Sequence, residues 1–270
     1  MSKPKKNWTP DIARVNLWCP PPGPPSKSEL AVYEKFVRAL KNKKDARVLI
    51  LGSTPGLRNL CLKYHLTPTS VDYNRRNFKI LKKLVKHSGR EKLIIADWRR
   101  LKLKEKYDLI LGDVAFAMLP FRGWDKLLKN LQPILKPNGL IVQRTWMRKN
   151  NDFKNFKVFL KNVHSKQRSK MDAFTSLGIP FAFYAYNAHN ENICYARSLP
   201  KLKVFVAKKL LAENDYQRVE QVWQNYWLPN SFPPKVKFEN EIRKYFKIKK
   251  ILRGQDWFKK YAPIYVLRKK

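Results

Sequence analysis

The segment Ala46-Arg-Val-Leu-Ile-Leu-Gly-Ser-Thr-Pro-Gly56 determines how the rest of the chain is interpreted. Its apolar half predicts a buried strand, and Gly52 and Gly56 predict a tight turn that leads into a helix. The backbone N–H groups of such a turn, together with the helix N-terminus, face a polar ligand. Asp72 follows Gly52 by 20 positions, and an acid placed there can accept hydrogen bonds from ribose hydroxyls. The segment therefore indicates a nucleotide-binding turn after the first strand.

Apolar runs of strand length alternate with amphipathic segments of helix length on both sides of this turn. We predict a first helix from Ser28 to about Asn42, and a hairpin formed by two terminal strands, 245–252 and 261–267. The other predicted strands lie near 46–52, 68–72, 92–96, 107–113 and 139–145, and the other helices near 56–65, 74–88 and 122–135. Buried strands separated by helices specify a parallel sheet covered on both faces. The predicted fold class is α/β, with a Rossmann-like, mostly parallel seven-stranded sheet that an antiparallel hairpin closes.

The predicted domain organisation is an N-terminal extended segment, residues 1–28, followed by one domain, residues 29–270. Six prolines or glycines between Cys19 and Pro25 exclude a helix there. Residues from about 146 to 240 form a mainly helical insertion before the hairpin. Its aromatic runs are typical of a separate small core, although aromatic and basic residues together can also stack bases.

The charge of the chain is strongly positive, because 58 Lys and Arg face 20 Asp and Glu and give a net charge of +38. Such a field attracts phosphate polymers, so nucleic acid is a candidate partner, but the lysines are spread through almost every segment, as in a bulk composition bias. No apolar run reaches the ~18 residues of a membrane span, and no apolar leader follows the N-terminus. We therefore expect a cytoplasmic protein without a membrane partner. The three cysteines are widely spaced, which predicts neither a disulfide framework nor a metal site.

Three acids stand at or just after the ends of predicted strands: Asp72, Asp97 and Asp113. Parallel strands end at one edge of the sheet, and ligands bind at that edge where the strand order reverses. Trp98 could cover the face of an adenine there. Acids also favour these positions because they cap the next helix, but three of them after a glycine turn favour a pocket. Asp108 stands at the start of a strand, so we expect it to lie away from the pocket.

These motifs resemble those of the class I S-adenosylmethionine-dependent methyltransferases. The first motif is similar over 48–56, the second- and third-strand acids match Asp72 and Asp97, and the fourth strand matches 107–113. Leu135-Lys-Pro-Asn-Gly139 resembles the family's Leu-Lys-Pro-Gly-Gly turn, with Asn138 in place of a glycine; Asn tolerates a positive φ better than other non-glycine residues. The resemblance covers residues 29–145 and the terminal hairpin.

The resemblance implies S-adenosylmethionine as the cofactor, methyl transfer as the reaction and no metal. Asp113 is the candidate catalytic residue, orienting the methyl donor or the acceptor. The family's usual first motif has an acid where Ile50 stands and a glycine where Thr54 stands, and the Leu-Gly-x-Thr-Pro form resembles a divergent branch, as do Trp8 and the proline-rich segment. The residues implied in cofactor binding are Gly52, Ser53, Thr54, Gly56, Asp72, Tyr73, Asp97, Trp98 and Asp113.

The methyl acceptor is less defined. Asp113-Val-Ala-Phe116 lacks the Asn/Asp-Pro-Pro-Tyr of amino-methylating nucleic-acid enzymes, and no Pro-Cys of the C5-pyrimidine enzymes is nearby. Ribose, tRNA-base, protein and small-molecule acceptors stay open. The candidate bases are His65, His87, His164 and His189, for which capping or structural roles are the commoner alternative.

Two other functions compete with methyl transfer. An NAD(P)-dependent oxidoreductase fits Gly52 and Asp72 but lacks the G-x-G-x-x-G spacing. A non-enzymatic, basic RNA-associated protein that kept the fold is supported by the changes at Ile50 and Thr54.

Overall fold

A computed structural model of the chain describes Ala13, Leu17 and residues 21–148, 155–164, 174–186, 192–224, 226–227 and 229–270. Trp8, Cys19 and His189, the side chain of His164 and most of the predicted N-terminal extended segment lie outside the described residues. Within them, seven strands form one sheet: β1 (Val48–Leu51), β2 (Pro68–Asp72), β3 (Lys92–Ile95), β4 (Tyr107–Asp113), β5 (Leu135–Arg144), β8 (Phe246–Leu252) and β9 (Ile264–Lys269). A separate antiparallel pair consists of β6 (Ile193–Cys194) and β7 (Pro229–Asn230).

Helices precede, connect and follow these strands. The α-helices are α1 (Lys27–Arg38), α2 (Pro55–Lys63), α3 (Arg75–Leu81), α4 (Trp124–Ile134), α5 (Phe156–Phe159), α6 (Ile179–Tyr184), α7 (Tyr195–Ala207), α8 (Glu213–Trp223) and α9 (Lys235–Arg243). Short 3-10 turns lie at Lys82–Leu84, Trp98–Arg100 and Phe121–Gly123, and π-helical turns at Leu160–His164 and Phe174–Gly178. No helix in the described part of the chain is long and apolar enough to span a membrane.

The order of the strands across the sheet is β3-β2-β1-β4-β5-β9-β8. The first five run parallel, whereas β9 is antiparallel to both of its neighbours. The dinucleotide-binding sheet has the order 3-2-1-4-5-6 and no antiparallel strand at this place. The predicted fold class is confirmed. The strand order reverses between β1 and β4, whose carboxyl ends lie side by side, with Leu51 paired to Gly112.

Both faces of the sheet are covered. On one face, the fully buried Trp124 of α4 packs against Phe116 and against Phe238 of α9. On the other face, Tyr33 of α1 lies in a second cluster that includes residues of α2. A third cluster joins the helices after β5 to residues that directly follow β4 and β5, so these helices sit at the carboxyl ends of the two strands.

Several boundaries differ from the sequence-based expectation, and β5 begins at Leu135 rather than near 139. The first helix ends at Arg38 and not near Asn42. The predicted helix over 74–88 ends at Leu81, because Asn59 of α2 holds the following loop through the amides of Lys86 and His87, at 2.6 and 3.2 Å. The last strand begins at Ile264 rather than at 261.

The turn Lys136-Pro-Asn-Gly139 is absorbed into β5 as a bulge. Leu135 pairs with Tyr107, and pairing resumes only at Leu140. Asn138 does not take a positive φ, so the reason expected for its tolerance does not apply; its side chain accepts a hydrogen bond from Arg268 at 2.8 Å instead. Gly139 is constrained more tightly, because a Cβ there would lie 2.9 Å from the carbonyl oxygen of Tyr107.

Candidate functional site

The turn after β1 has the geometry that its glycine predicts. Gly52 has a φ of +97°, a region open to glycine but costly for other residues. Its amide donates to the carbonyl oxygen of Val71 at 2.8 Å, which ties the turn to the end of β2. A Cβ on Gly52 would lie 3.6 Å from the indole of Trp98, so the ring borders the turn. The turn is therefore only half-buried at Gly52 and Thr54, with the Trp98 ring beside it.

Asp72 ends β2 beside this turn. Its carboxylate accepts a hydrogen bond from the hydroxyl of Ser53 and another from the amide of Asn74, at 3.0 Å for the latter. Burial raises the pKa of Asp72, and these hydrogen bonds oppose the rise, together with one from the amide of Tyr73. The turn and the predicted ribose acid thus come together as the sequence indicated.

Asp97 and Trp98 follow β3 but are engaged within the protein. Asp97 caps the 3-10 turn through the amide of Arg99 at 2.9 Å, and its carboxylate pairs with the Arg99 guanidinium at 2.5 Å. Partial burial favours the neutral acid, but the hydrogen bonds from Arg99 outweigh it and lower the pKa of Asp97. Trp98 donates from Nε1 to the carbonyl of Val71 at 2.8 Å. Asp97 therefore performs the capping role that was the alternative to ligand binding.

Asp113 ends β4 inside a buried ionic cluster. Arg144, its partner in register on β5, donates from Nε to Asp113 at 2.6 Å and from Nη1 to Glu29 of α1 at 2.7 Å. The side chains of Arg144 and Glu29 are fully buried, and the nearby hydroxyl of Thr54 favours the charged form of Asp113. Burial raises the pKa of both Asp113 and Glu29, and the positive charge of Arg144 opposes that rise.

The same arginine fixes the proline-rich segment over the ends of β4 and β5. Its Nη2 donates to the carbonyl oxygens of Pro22 and Gly23, at 3.2 and 2.8 Å. Tyr33 completes the cluster, donating to the carbonyl of Gly112 at 2.7 Å and accepting from the amide of Arg144 at 2.8 Å. Sequence reasoning missed Arg144 and Glu29; the available signal was a charged residue at the end of a buried strand, next to a strand that ends in an acid.

Backbone strain marks the end of β4. Val114 has a φ of +56°, although it is β-branched, and its amide donates to the carbonyl of Arg144 at 3.0 Å. Such a conformation costs on the order of 1–3 kcal/mol and occurs most often at functional sites. The chain turns here from the sheet toward the helices that follow β5.

Comparisons with known proteins agree with this architecture. The sequence model of a family described as tellurite resistance protein TehB matches residues 27–158. The CcbJ methyltransferase from Streptomyces caelestis has a TM-score of 0.57 at 10% identity, with 96% of each chain covered. An S-adenosylmethionine-dependent methyltransferase from Clostridium acetobutylicum has a TM-score of 0.51 at 10% identity, covering 90% of this chain and 92% of that one.

The chain has the fold of the class I methyltransferases. The resemblance read from the sequence motifs is confirmed at this level, while the Leu-Gly-x-Thr-Pro branch stays a prediction. A structure assigned to the zinc-dependent alcohol dehydrogenases, from Rhodobacter sphaeroides, also matches, with a TM-score of 0.59 at 12% identity, covering 96% of this chain and 98% of that one. No curated protein matches the chain.

The methyltransferase fold brings some of the predicted site residues together and gives others a packing role. Gly52, Ser53, Asp72 and Trp98 meet at the turn. Gly56 instead permits the approach of α1 to α2, because a Cβ there would lie 2.9 Å from Leu30.

The remaining candidates lie away from this edge of the methyltransferase fold. Asp108 is at the opposite end of β4, as expected, and pairs with Lys43 and Lys136, at 2.8 Å each. Partial burial opposes the effect, but these lysines lower the pKa of Asp108 to about 2. His65 and His87 are exposed on loops after α2 and α3.

Proposed function

We propose that the chain is an S-adenosylmethionine-dependent methyltransferase (EC 2.1.1.-) whose acceptor is still to be identified. The observation that carries the proposal is that the Gly52 turn and Asp72 meet at the end of β1, the strand at which the order reverses. Ligands of open α/β sheets bind at this point. The antiparallel β9 departs from the dinucleotide fold, which favours methyl transfer over hydride transfer. The free thiols of Cys61 and Cys194 agree with the cytoplasmic location that belongs to this proposal.

The residues at the turn fit the nucleoside part of S-adenosylmethionine. A carboxylate can accept from two ribose hydroxyls, and Asp72 holds one oxygen near the Ser53 hydroxyl at the edge of the turn. Gly52 carries no side chain of its own, and the partly exposed Trp98 ring beside it offers an apolar face to a base. The bound sulfonium supplies an activated methyl group, so the chain has chiefly to align it with the acceptor.

Asp113 acts in this proposal as a positioning residue. Arg144 donates to its carboxylate, so Asp113 ties the end of β4, beside the turn, to the end of β5. Removing a proton from an acceptor would require breaking the buried ion pair. The proline-rich segment, held by Arg144 at the carbonyl oxygens of Pro22 and Gly23, borders the site on that side.

The same contacts give a specific reason to keep a second candidate function, a basic RNA-associated protein that retained the fold without the activity. The indole of Trp98 already lies against Gly52, and Asp97 and Asp113 are both held by arginines. A chain that had lost its cofactor could fill its former site with such contacts.

Calorimetry with S-adenosylhomocysteine and S-adenosylmethionine separates the two candidates. We expect the wild-type chain to bind both, and Asp72→Ala to weaken binding by about 10- to 100-fold, from the roughly 1.5–3 kcal/mol of hydrogen bonds to a charged group. Asp108→Ala removes the same kind of carboxylate at the far end of the sheet and should leave the affinity unchanged. A folded wild-type chain that binds neither compound contradicts the proposal and favours the second candidate.

A further inference from the structure

The connection from β2 to β3 presents a concentrated positive surface. Residues 75–92 include eight Lys and Arg and a single acid, Glu91. All eight cationic side chains are exposed, on α3, on the 3-10 turn, on the loop that follows and at the first residue of β3. We call this surface, residues 75–92, the basic face.

The charge of the basic face is not compensated by neighbouring acids. Glu91 forms an ion pair with Arg58 of α2, which donates to its carboxylate from Nε at 2.6 Å and from Nη2 at 3.0 Å. Within the described ranges, no carboxylate pairs with any of the eight cations, whereas Asp97, Asp108, Asp113 and Asp125 are each paired with a basic side chain.

Two cations of the basic face, Lys82 and Lys86, border a groove. His87, Ser88 and the ion-paired Glu91 also line it, and its volume is about 380 Å³. Asn59 fixes the loop by donating to the carbonyl of Leu84 at 3.0 Å and by accepting from two amides beyond it. The loop packs closely, since a Cβ on Gly89 would lie 2.7 Å from Leu62. The donors are thus preorganised, unlike those of a flexible basic tail.

We propose that the basic face binds the phosphate backbone of a single-stranded nucleic acid. A row of exposed cations along a preorganised groove matches a flexible chain of phosphates. An anionic membrane would require apolar anchors among the cations, and none of the large apolar side chains exposed in the described residues lies within 75–92. The lysines of β8 have another explanation, because charges on an edge strand prevent sheet-to-sheet association.

The position of the basic face relates it to the candidate site. α3 starts three residues after Asp72, so a strand bound along it would pass the edge of the Gly52 turn. The inference concerns binding alone and does not depend on the proposed methyl transfer.

Fluorescence anisotropy with a labelled oligouridylate tests the inference on the full chain without cofactor. The variant is Lys82→Gln/Lys83→Gln/Lys86→Gln/Arg90→Gln. The matched control, Lys247→Gln/Lys249→Gln/Lys250→Gln/Lys260→Gln, removes the same number of exposed charges at the opposite end of the sheet. Vesicles of phosphatidylserine provide a second probe, and thermal unfolding verifies that both variants are folded.

We expect the basic-face variant to show a salt dependence smaller by about 3 in the log–log slope, which weakens oligonucleotide binding about 100- to 1,000-fold in about 0.1 M salt. The control should change the slope by less than about 1. Equal losses in both variants would assign binding to bulk charge and overturn the inference. No binding by the wild-type chain at low salt, or loss of vesicle binding alone, would overturn it as well.

Discussion

Arg144→Met is expected to lower the free energy of unfolding by about 3–5 kcal/mol, because it leaves buried carboxylates without their partner. Arg144 bonds at once to Asp113, to Glu29 and to the carbonyls of Pro22 and Gly23. Methionine fills a similar volume but donates no hydrogen bond, so the carboxyls of β4 and α1 lose their counter-charge. Urea unfolding at neutral pH measures the loss.

The loss of unfolding free energy in Arg144→Met should depend on pH in a defined direction. Burial raises the pKa of Asp113 and Glu29 in the folded chain, and the positive charge of Arg144 opposes this rise. Arg144→Met removes that charge and should therefore raise the pKa of both carboxyls further. Acids with a raised pKa bind more protons when folded, and stability falls as pH rises from the unfolded pKa, near 4, through the folded pKa. The variant should therefore be closer to wild type at about pH 4.5 than at about pH 7.5.

A matched control separates the loss of the cluster from the loss of an arginine. Arg268→Met changes an exposed arginine on the adjacent strand β9, and we expect near wild-type stability at both pH values. A deficit of Arg144→Met that is small, or equal at both pH values, would contradict the described role of the buried cluster.

The local parts of the fold were predictable from the sequence because their signals are local. The apolar run before Gly52 defines β1, and the predicted limits of the strands ending at Asp72 and Asp113 match the structure. The first helix was predicted from Ser28 and begins at Lys27, after a capping box between Ser26 and Glu29, at 2.9 and 3.1 Å. Only contacts within a few residues are needed for these elements.

The partners of the strand-end acids were not predictable, because they depend on contacts distant in sequence. Asp113 meets Arg144 through the register of β4 and β5, and Glu29 joins them only once α1 has packed on the sheet, 115 residues away. Asp97 shows the opposite case, since its partner Arg99 is adjacent and favours capping. Three similar acids at one edge therefore have three environments, and only Asp72 keeps hydroxyl and amide partners without a cationic one.

Arg58→Met is the second substitution with a large expected effect, again about 3–5 kcal/mol of unfolding free energy. Arg58 is fully buried; it makes two hydrogen bonds to Glu91 and lies 4.0 Å from the centre of the Phe78 ring. It therefore links α2 to α3 and to the residue before β3. Its removal leaves the largely buried Glu91 without its ion-pair partner, and denaturant unfolding measures the cost.

The double variant Arg58→Met/Glu91→Met decides whether the cost comes from the unpaired charge. Replacing both members of a buried pair by apolar residues is often neutral, so most of the stability should return. Lys63 is on the same helix as Arg58, and Lys63→Met breaks its exposed ion pair with Glu34 of α1. This control should change the free energy of unfolding little. If the double variant is as unstable as Arg58→Met, the arginine stabilises the fold by packing on Phe78 and not by pairing.

The double variant also removes the only acid of the basic face, so it should bind the oligonucleotide at least as tightly as wild type.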